Sequence, residues 1–155
     1  MSASKRILLV EDSPRDAELT LDVLAEYHLA NRITHVRDGA EALDYLHRRG
    51  AFAGQPDDLP ALMLLDLKMP KVDGIEVLRE MKNDPRLKVV PVVVMTSSRE
   101  EADLHKCYEL GVNAYVVKPL KFQELTEAVR QLSVFWLILN EPDPACLSRD
   151  GHAGS

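Results

Sequence analysis

The chain has 155 residues, of which 28% are charged and 46% hydrophobic, and its formal net charge is −6 at pH 7. This length suits one domain with a full core, and the acidic balance argues against nonspecific binding to nucleic acid or to an anionic membrane surface. Its two cysteines provide neither a disulfide framework nor a metal-ligand spacing. The N-terminus lacks the apolar core of a signal peptide, and no run reaches membrane-spanning length, so we expect a cytoplasmic location.

The first half of the chain alternates between strand-like and helix-like patterns. The apolar run Ile7–Val10 predicts a buried strand that ends in the acidic pair Glu11 and Asp12. Ser13 and Pro14 then suit the N-cap and the first position of a helix. Further along, we predict a second strand over 33–36, a helix after Asp38-Gly39 and a polar loop over 50–60.

The stretch from Leu62 to Pro70 predicts the central strand of a sheet. Four apolar residues lead into Asp66, and Pro70 ends any ladder of backbone hydrogen bonds. A wholly apolar run is typical of a strand that is buried on both faces of a parallel sheet. The carboxylate of Asp66 would then lie at the carboxyl edge of the sheet, where open α/β folds bind ligands. A helix opened by Asp73-Gly74 follows.

The second half repeats the alternation. Two more strands each end in polar residues, namely Pro91–Met95 before Thr96 and Ala114–Val117 before Lys118. Helices are predicted over 100–110, closed by Gly111 as a C-cap, and over 122–139. Five strands alternating with five helices predict an α/β fold with a doubly wound parallel sheet. We expect one domain over 5–139 and a disordered tail over 140–155.

Polar residues at four strand ends suggest phosphoryl chemistry at one edge of this sheet. Glu11, Asp12 and Asp66 would repel one another unless a cation neutralised them, and hard oxygen ligands suit Mg²⁺. A carboxylate can serve as a nucleophile and form an aspartyl phosphate. The Lys118 ammonium and the Thr96 hydroxyl could then bind phosphoryl oxygens.

Each of these residues also has an ordinary structural interpretation. Glu11 and Asp12 could complement a helix dipole, and Thr96 could cap the helix that follows it. Lys118 could be a solvated surface lysine, and Tyr115 an ordinary strand aromatic. The five histidines show no ligand spacing, and we expect no functional role for them. The combination of strand ends, rather than any one residue, favours the functional interpretation.

Four motifs together resemble the receiver domain of two-component response regulators: Val10-Glu11-Asp12-Ser13, Asp66-Leu67-Lys68-Met69-Pro70 with Asp73-Gly74, Met95-Thr96-Ser97-Ser98, and Lys118-Pro119. The resemblance covers nearly all of residues 5–139. It implies a receiver (flavodoxin-like) fold with strand order 2-1-3-4-5. It also implies a phosphoacceptor protein that catalyses only its own phosphorylation and dephosphorylation.

The resemblance also implies roles for single residues. Asp66 would accept a phosphoryl group from a sensor histidine kinase. Mg²⁺ would be held by Glu11, Asp12 and Asp66 and by the backbone carbonyl of Lys68, a position that is often Asn in this family. Lys118 and Thr96 would bind the phosphoryl group, and Thr96 and Tyr115 would act as the switch. The signal would pass on through phosphorylation-dependent protein contacts or an onward phosphorelay.

Less specific features resemble the receivers that partner bacterial phytochromes. They are the Asp12-Ser13-Pro14 start, the long loop before the central strand, Val112–Tyr115, and Phe135-Trp136-Leu137. They imply a phytochrome-type histidine kinase as the partner.

Two alternatives come from other functional classes. A phosphatase of the haloacid-dehalogenase type also uses an aspartyl nucleophile, but it needs an acid where this chain has Lys68. A phosphate-independent interaction module would have no need to retain Asp12, Asp66, Thr96 and Lys118 together.

The predicted last helix is apolar nearly all round in its C-terminal part. One face can pack on the sheet, but Phe135, Trp136 and Ile138 would then need a second partner surface. We therefore expect a homodimer through this helix, with the same patch on both copies.

Overall fold

The computed structural model describes residues 6–26, 32–54, 59–67, 69, 73–97, 101–118 and 121–130. Five strands alternate with five helices along the chain. The strands are β1 Ile7–Val10, β2 Ile33–Val36, β3 Leu62–Asp66, β4 Val92–Thr96 and β5 Ala114–Val117. The helices are α1 Pro14–Ala25, α2 Gly39–His47, α3 Gly74–Lys82, α4 Glu101–Glu109 and α5 Phe122–Arg130, with a short 3-10 turn at Gly50–Phe52 in the predicted loop.

The five strands form one parallel sheet in the order β2-β1-β3-β4-β5. This confirms the predicted fold class and strand order. Because all strands are parallel, their carboxyl ends meet at one edge. In register, Val10 lies opposite Leu65, and Asp66 lies opposite Met95. Glu11, one residue beyond Val10, is therefore level with Asp66.

The core lies on both faces of the sheet, as the wholly apolar strands predict. Alternate residues of β3 enter different clusters, with Met63 and Leu65 on one face and Leu62 and Leu64 on the other. The first cluster includes residues of α2 and α3, and the second includes residues of α1 and α5. All four of these β3 residues are fully buried, so the strand that carries Asp66 is fixed on both sides.

Polar caps start the three helices that follow β1, β2 and β3. Ser13 Oγ accepts the Asp16 amide at 3.2 Å, as predicted for an N-cap followed by proline. Asp38 and Asp73 cap α2 and α3 by accepting amides three residues on, at 2.8 and 3.0 Å. The chain is thus turned from strand to helix within a few residues of the carboxyl edge.

Several predicted features lie outside the described residues. They are Lys68, Pro119, the dimer residues Phe135, Trp136 and Ile138, and the tail over 140–155. The described part of α5 ends at Arg130, within the predicted span of 122–139. None of the helices in the described ranges is long and apolar enough to cross a membrane.

Candidate phosphoryl-acceptor site

Four strand ends place charged and hydroxyl side chains at the carboxyl edge of the sheet. Glu11 and Asp12 directly follow β1, Asp66 is the last residue of β3, Thr96 is the last of β4, and Lys118 directly follows β5. Glu11 and Thr96 are fully buried, and Asp66 is 5% exposed. The structure therefore brings the predicted residues to one place, and their burial makes the interactions between their charges strong.

Lys118 is at the centre of this group. Its Nζ lies 2.6 Å from Glu11 Oε1, 3.2 Å from Asp66 Oδ2 and 3.1 Å from Asp16 Oδ2. Burial alone would lower the pKa of Lys118, but its hydrogen bond to Glu11 and the charge of Asp66 raise that pKa above the usual lysine value. The ammonium therefore stays charged. Its 14% side-chain exposure and its three carboxylate partners rule out the interpretation of Lys118 as a solvated surface lysine.

Three carboxylates form an acidic cluster, which we call the acidic trio: Glu11, Asp12 and Asp66. One oxygen from each lies within 4.8 Å of the others. Burial and the neighbouring Glu11 carboxylate raise the pKa of Asp66 to about 7, although Lys118 acts in the opposite direction. The raised pKa reflects the unfavourable gathering of three carboxylates, which a divalent ion bound at this place would relieve.

Glu11 supplies the test of whether the trio suits such an ion. Its Oε2 accepts the Ser13 amide at 3.1 Å. Its Oε1 is fully buried and lies 2.6 Å from Lys118 Nζ. Two buried carboxylates and one exposed carboxylate, with oxygens within 4.8 Å of one another, supply the hard oxygen ligands that suit a divalent cation such as Mg²⁺.

The backbone of Glu11 is also fixed, in part by His35. The Glu11 amide donates to the Val36 carbonyl at 3.0 Å, which extends the pairing of β1 with β2. The Glu11 carbonyl lies 2.8 Å from His35 Nε2, and because a carbonyl can only accept, Nε2 must carry the proton. Glu11 is thus held at both its backbone amide and its backbone carbonyl.

A glycine allows α3 to start against the end of β3. The Gly74 amide donates to the Leu67 carbonyl at 2.9 Å. A Cβ atom at position 74 would lie 2.6 Å from the Asp66 carbonyl oxygen and 2.7 Å from the Leu67 Cα, both of them backbone atoms. Only glycine therefore fits without moving the segment that carries Asp66.

The two proposed switch residues lie on β4 and β5. Thr96 pairs in register with Val117, and its carbonyl accepts the Lys118 amide at 2.8 Å. Tyr115 is half-buried on β5 and packs against the core cluster beneath α2 and α3. Thr96 is thus bonded through its backbone to Lys118. Tyr115 lies on β5, the edge strand that Lys118 directly follows.

Sequence reasoning missed two residues of this site. Asp16 was not predicted, although it follows Asp12 by four residues on the predicted helix, a spacing that places both near the helix start. His35 was expected to have no role, yet it bonds to the Glu11 backbone. Its position on β2 next to β1 was the available signal, because the predicted strand order already makes these strands neighbours.

Comparison with known proteins identifies one family. A family model described as the response regulator receiver domain matches residues 7–130. Response regulator Rcp1 of Synechocystis sp. (strain ATCC 27184 / PCC 6803 / Kazusa) is 43% identical over 133 residues, which cover 86% of this chain and 89% of Rcp1. The solved Mn²⁺-bound form of Rcp1 is 42% identical, covers 86% of this chain and 94% of that one, and has a TM-score of 0.69.

Two of the similar solved structures are phytochrome response regulators. The bacteriophytochrome response regulator RtBRR is 51% identical, covers 97% of this chain and 92% of its own, and has a TM-score of 0.80. The phosphorylated cyanobacterial phytochrome response regulator RcpA is 43% identical, covers 87% of this chain and 95% of its own, and has a TM-score of 0.72. The motifs, the strand order and these matches show that the chain belongs to the response regulator receiver domain family and is related to the phytochrome response regulators.

Proposed function

We propose that Asp66 accepts a phosphoryl group from a phosphohistidine of a sensor histidine kinase. An ionised Asp66 oxygen forms a bond to phosphorus while the phosphorus–nitrogen bond of phosphohistidine breaks. The electron pair of that bond leaves with the imidazole, which then takes up a proton. The observation that carries this proposal is the contact of a part-buried, charged Lys118 with both Asp66 and Glu11. An ammonium at this point can stabilise a phosphoryl group on Asp66.

We assign the remaining roles around this acceptor. Glu11, Asp12 and Asp66, together with the Lys68 carbonyl, would hold Mg²⁺, which neutralises charge on the phosphoryl oxygens when it is bound. The Thr96 hydroxyl would donate to a phosphoryl oxygen, and Tyr115 would respond to the movement of Thr96. Support for a divalent ion comes from the acidic trio and from the relative solved with Mn²⁺ bound.

We further propose a phytochrome-type kinase as the phosphoryl donor, in the cytoplasm, and a homodimer as the signalling form. The donor is supported by the likeness to RtBRR and to RcpA. The homodimer is supported by the apolar segment that contains Phe135, Trp136 and Ile138. Output would follow from protein contacts that depend on phosphorylation or from an onward phosphorelay.

Replacement of Asp66 tests the acceptor role. Wild type should become phosphorylated by acetyl phosphate when Mg²⁺ is present and remain unmodified in EDTA, whereas Asp66→Asn should remain unmodified in both. A gel that retards phosphoproteins separates the two forms. Asp22→Asn, which changes an exposed aspartate on α1, is the matched control and should behave as wild type.

Equal labelling of Asp66→Asn and wild type would overturn this assignment. A second arm replaces acetyl phosphate with an autophosphorylated bacterial phytochrome kinase. Transfer to wild type but not to Asp66→Asn supports the proposed donor. Acetyl phosphate labelling without any transfer from phytochrome kinases would leave the acceptor assignment standing and remove the phytochrome partner.

A further inference from the structure

Asp16 contacts the lysine of the site from outside the acidic trio. Its Oδ2 lies 3.1 Å from Lys118 Nζ, at hydrogen-bond distance, although the two residues are far apart in sequence. An ammonium has three N–H donors. Three carboxylates surround this one, so all of its donors have an acidic partner before any phosphoryl group arrives.

A phosphoryl group on Asp66 changes this balance, because its oxygens also need the Lys118 ammonium. Asp66 itself becomes an acyl phosphate whose negative charge lies on the phosphoryl oxygens, so the ammonium must move outward to follow that charge, and its contact with Glu11 or with Asp16 must weaken. Glu11 is fully buried, so a carboxylate that lost its cation there would not be solvated. The Asp16 side chain is 36% exposed, and water can replace the lysine there. Asp16 is therefore the partner that Lys118 gives up most easily.

We propose that Asp16 is a positioning residue that competes with the phosphoryl group for Lys118. In the unphosphorylated protein it holds the ammonium on the α1 side, and on phosphorylation it releases the ammonium to the phosphoryl oxygens. This inference rests on the proposed function, because it requires a phosphoryl group on Asp66.

A consequence of this exchange lies on the first turn of α1. The released Asp16 carboxylate becomes an uncompensated negative charge two residues from Pro14 and near exposed Asp12. The charge of this surface would thus differ between the two states of the protein. Asp16 stabilises the unphosphorylated state through the differential contact that a population shift requires.

The affinity for beryllofluoride, a phosphoryl mimic, tests the competition at saturating Mg²⁺. Asp16→Asn removes the carboxylate charge and keeps the backbone amide of residue 16, which donates to Ser13. We expect this variant to bind beryllofluoride about fivefold more tightly, which corresponds to about 1 kcal/mol for a partly exposed ion pair. Glu18→Gln is the matched control, since it removes an exposed acid from the same helix and should bind as wild type.

Three further outcomes separate this inference from the proposed function. Unchanged or weaker beryllofluoride binding by Asp16→Asn would overturn the competition. An equal gain in Glu18→Gln would also overturn it, because the effect would then be one of net charge. Failure of wild type to bind beryllofluoride with Mg²⁺ would instead remove the proposed acceptor site. The Lys118 Nζ resonance should also shift in Asp16→Asn, while the unfolding midpoint stays within a few degrees of wild type. A purely structural role of Asp16 would instead lower the unfolding midpoint.

Discussion

Asp66 shows how the surroundings of a single residue set its chemistry. Burial and the adjacent Glu11 carboxylate favour its neutral form, and the Lys118 ammonium favours its ionised form. Burial is the larger effect, so the pKa of Asp66 rises to about 7. A carboxyl group must be ionised to act as a nucleophile, and it must also be ionised to bind a metal ion well. The acidic trio therefore becomes fully competent only near neutral pH or when a cation displaces the proton.

This raised pKa predicts how stability depends on pH in the metal-free protein. The folded state keeps a proton on Asp66 up to about pH 7, whereas the unfolded state loses it near pH 4. The free energy of unfolding should therefore fall as pH rises from 5 to 7.5, by at most about 1.4 kcal/mol per pH unit from this group, and then level off. Urea unfolding in EDTA measures this slope.

Asp66→Asn is the comparison that isolates the contribution of Asp66, because every other titrating group remains. The difference in slope between wild type and this variant should disappear above about pH 7.5. Magnesium affinity, measured by calorimetry, should have the opposite trend and rise with pH until it levels off above about 7. Identical slopes in wild type and Asp66→Asn would contradict the raised pKa.

At the scale of secondary-structure elements, the junction between β3 and α3 depends on Gly74. The first turn of α3 lies against the backbone of Asp66 and Leu67, with no room for a Cβ atom. Since the obstructing atoms belong to the backbone, a rotamer change of a side chain cannot relieve the contact. The helix and the strand would have to move apart.

We therefore expect Gly74→Ala to destabilise the fold by about 1–3 kcal/mol, as overpacking commonly does, and to weaken magnesium binding. Amide resonances of residues 66 and 67 should shift. Gly54→Ala is the control, because a Cβ there meets nothing within 4 Å and the strain comes only from its positive φ of 85°. If Gly74→Ala kept wild-type magnesium affinity, the close approach would have no part in positioning Asp66.

The elements were predictable from sequence because β1, β3, β4 and β5 are short apolar runs with a polar end. Ile7–Val10 and Leu62–Asp66 show this pattern directly, and Ser13 and Asp73 mark the helix starts that follow. The contact between Asp16 and Lys118 was not predictable in the same way. It depends on the side-chain directions of two residues whose spacing in sequence carries no signal. His35, by contrast, has its role because β2 lies beside β1, and the predicted strand order already made these two strands neighbours.

At the scale of the whole molecule, we expect two copies to associate. The apolar segment that contains Phe135 and Trp136 follows directly after the described part of α5. If this segment forms an interface between copies, it would bring two acceptor domains together in a fixed arrangement. A protein that binds the dimer would then meet two copies of the same acceptor site.

Sedimentation of wild type should therefore show a dimer, and Phe135→Asp/Trp136→Asp should sediment as a monomer. Circular dichroism checks that the double variant is folded. Val89→Asp places a single such charge on an apolar residue that is 66% exposed in the described structure, and it should leave the dimer intact. A wild type that remains monomeric at high concentration, both with and without beryllofluoride, would exclude the homodimer.

The charge compensation at Lys118 also bears on how the chain is made. Asp16 and Lys118 are 102 positions apart, so at the usual speed of synthesis the lysine leaves the ribosome roughly 5 to 20 seconds after the aspartate. Until then Glu11 lacks its ammonium partner, and burying its carboxylate without a cation would cost several kcal/mol. The N-terminal strand must therefore keep its acidic end in water while the rest of the chain is translated. The carboxyl edge of the sheet closes only when the last strand supplies its positive charge.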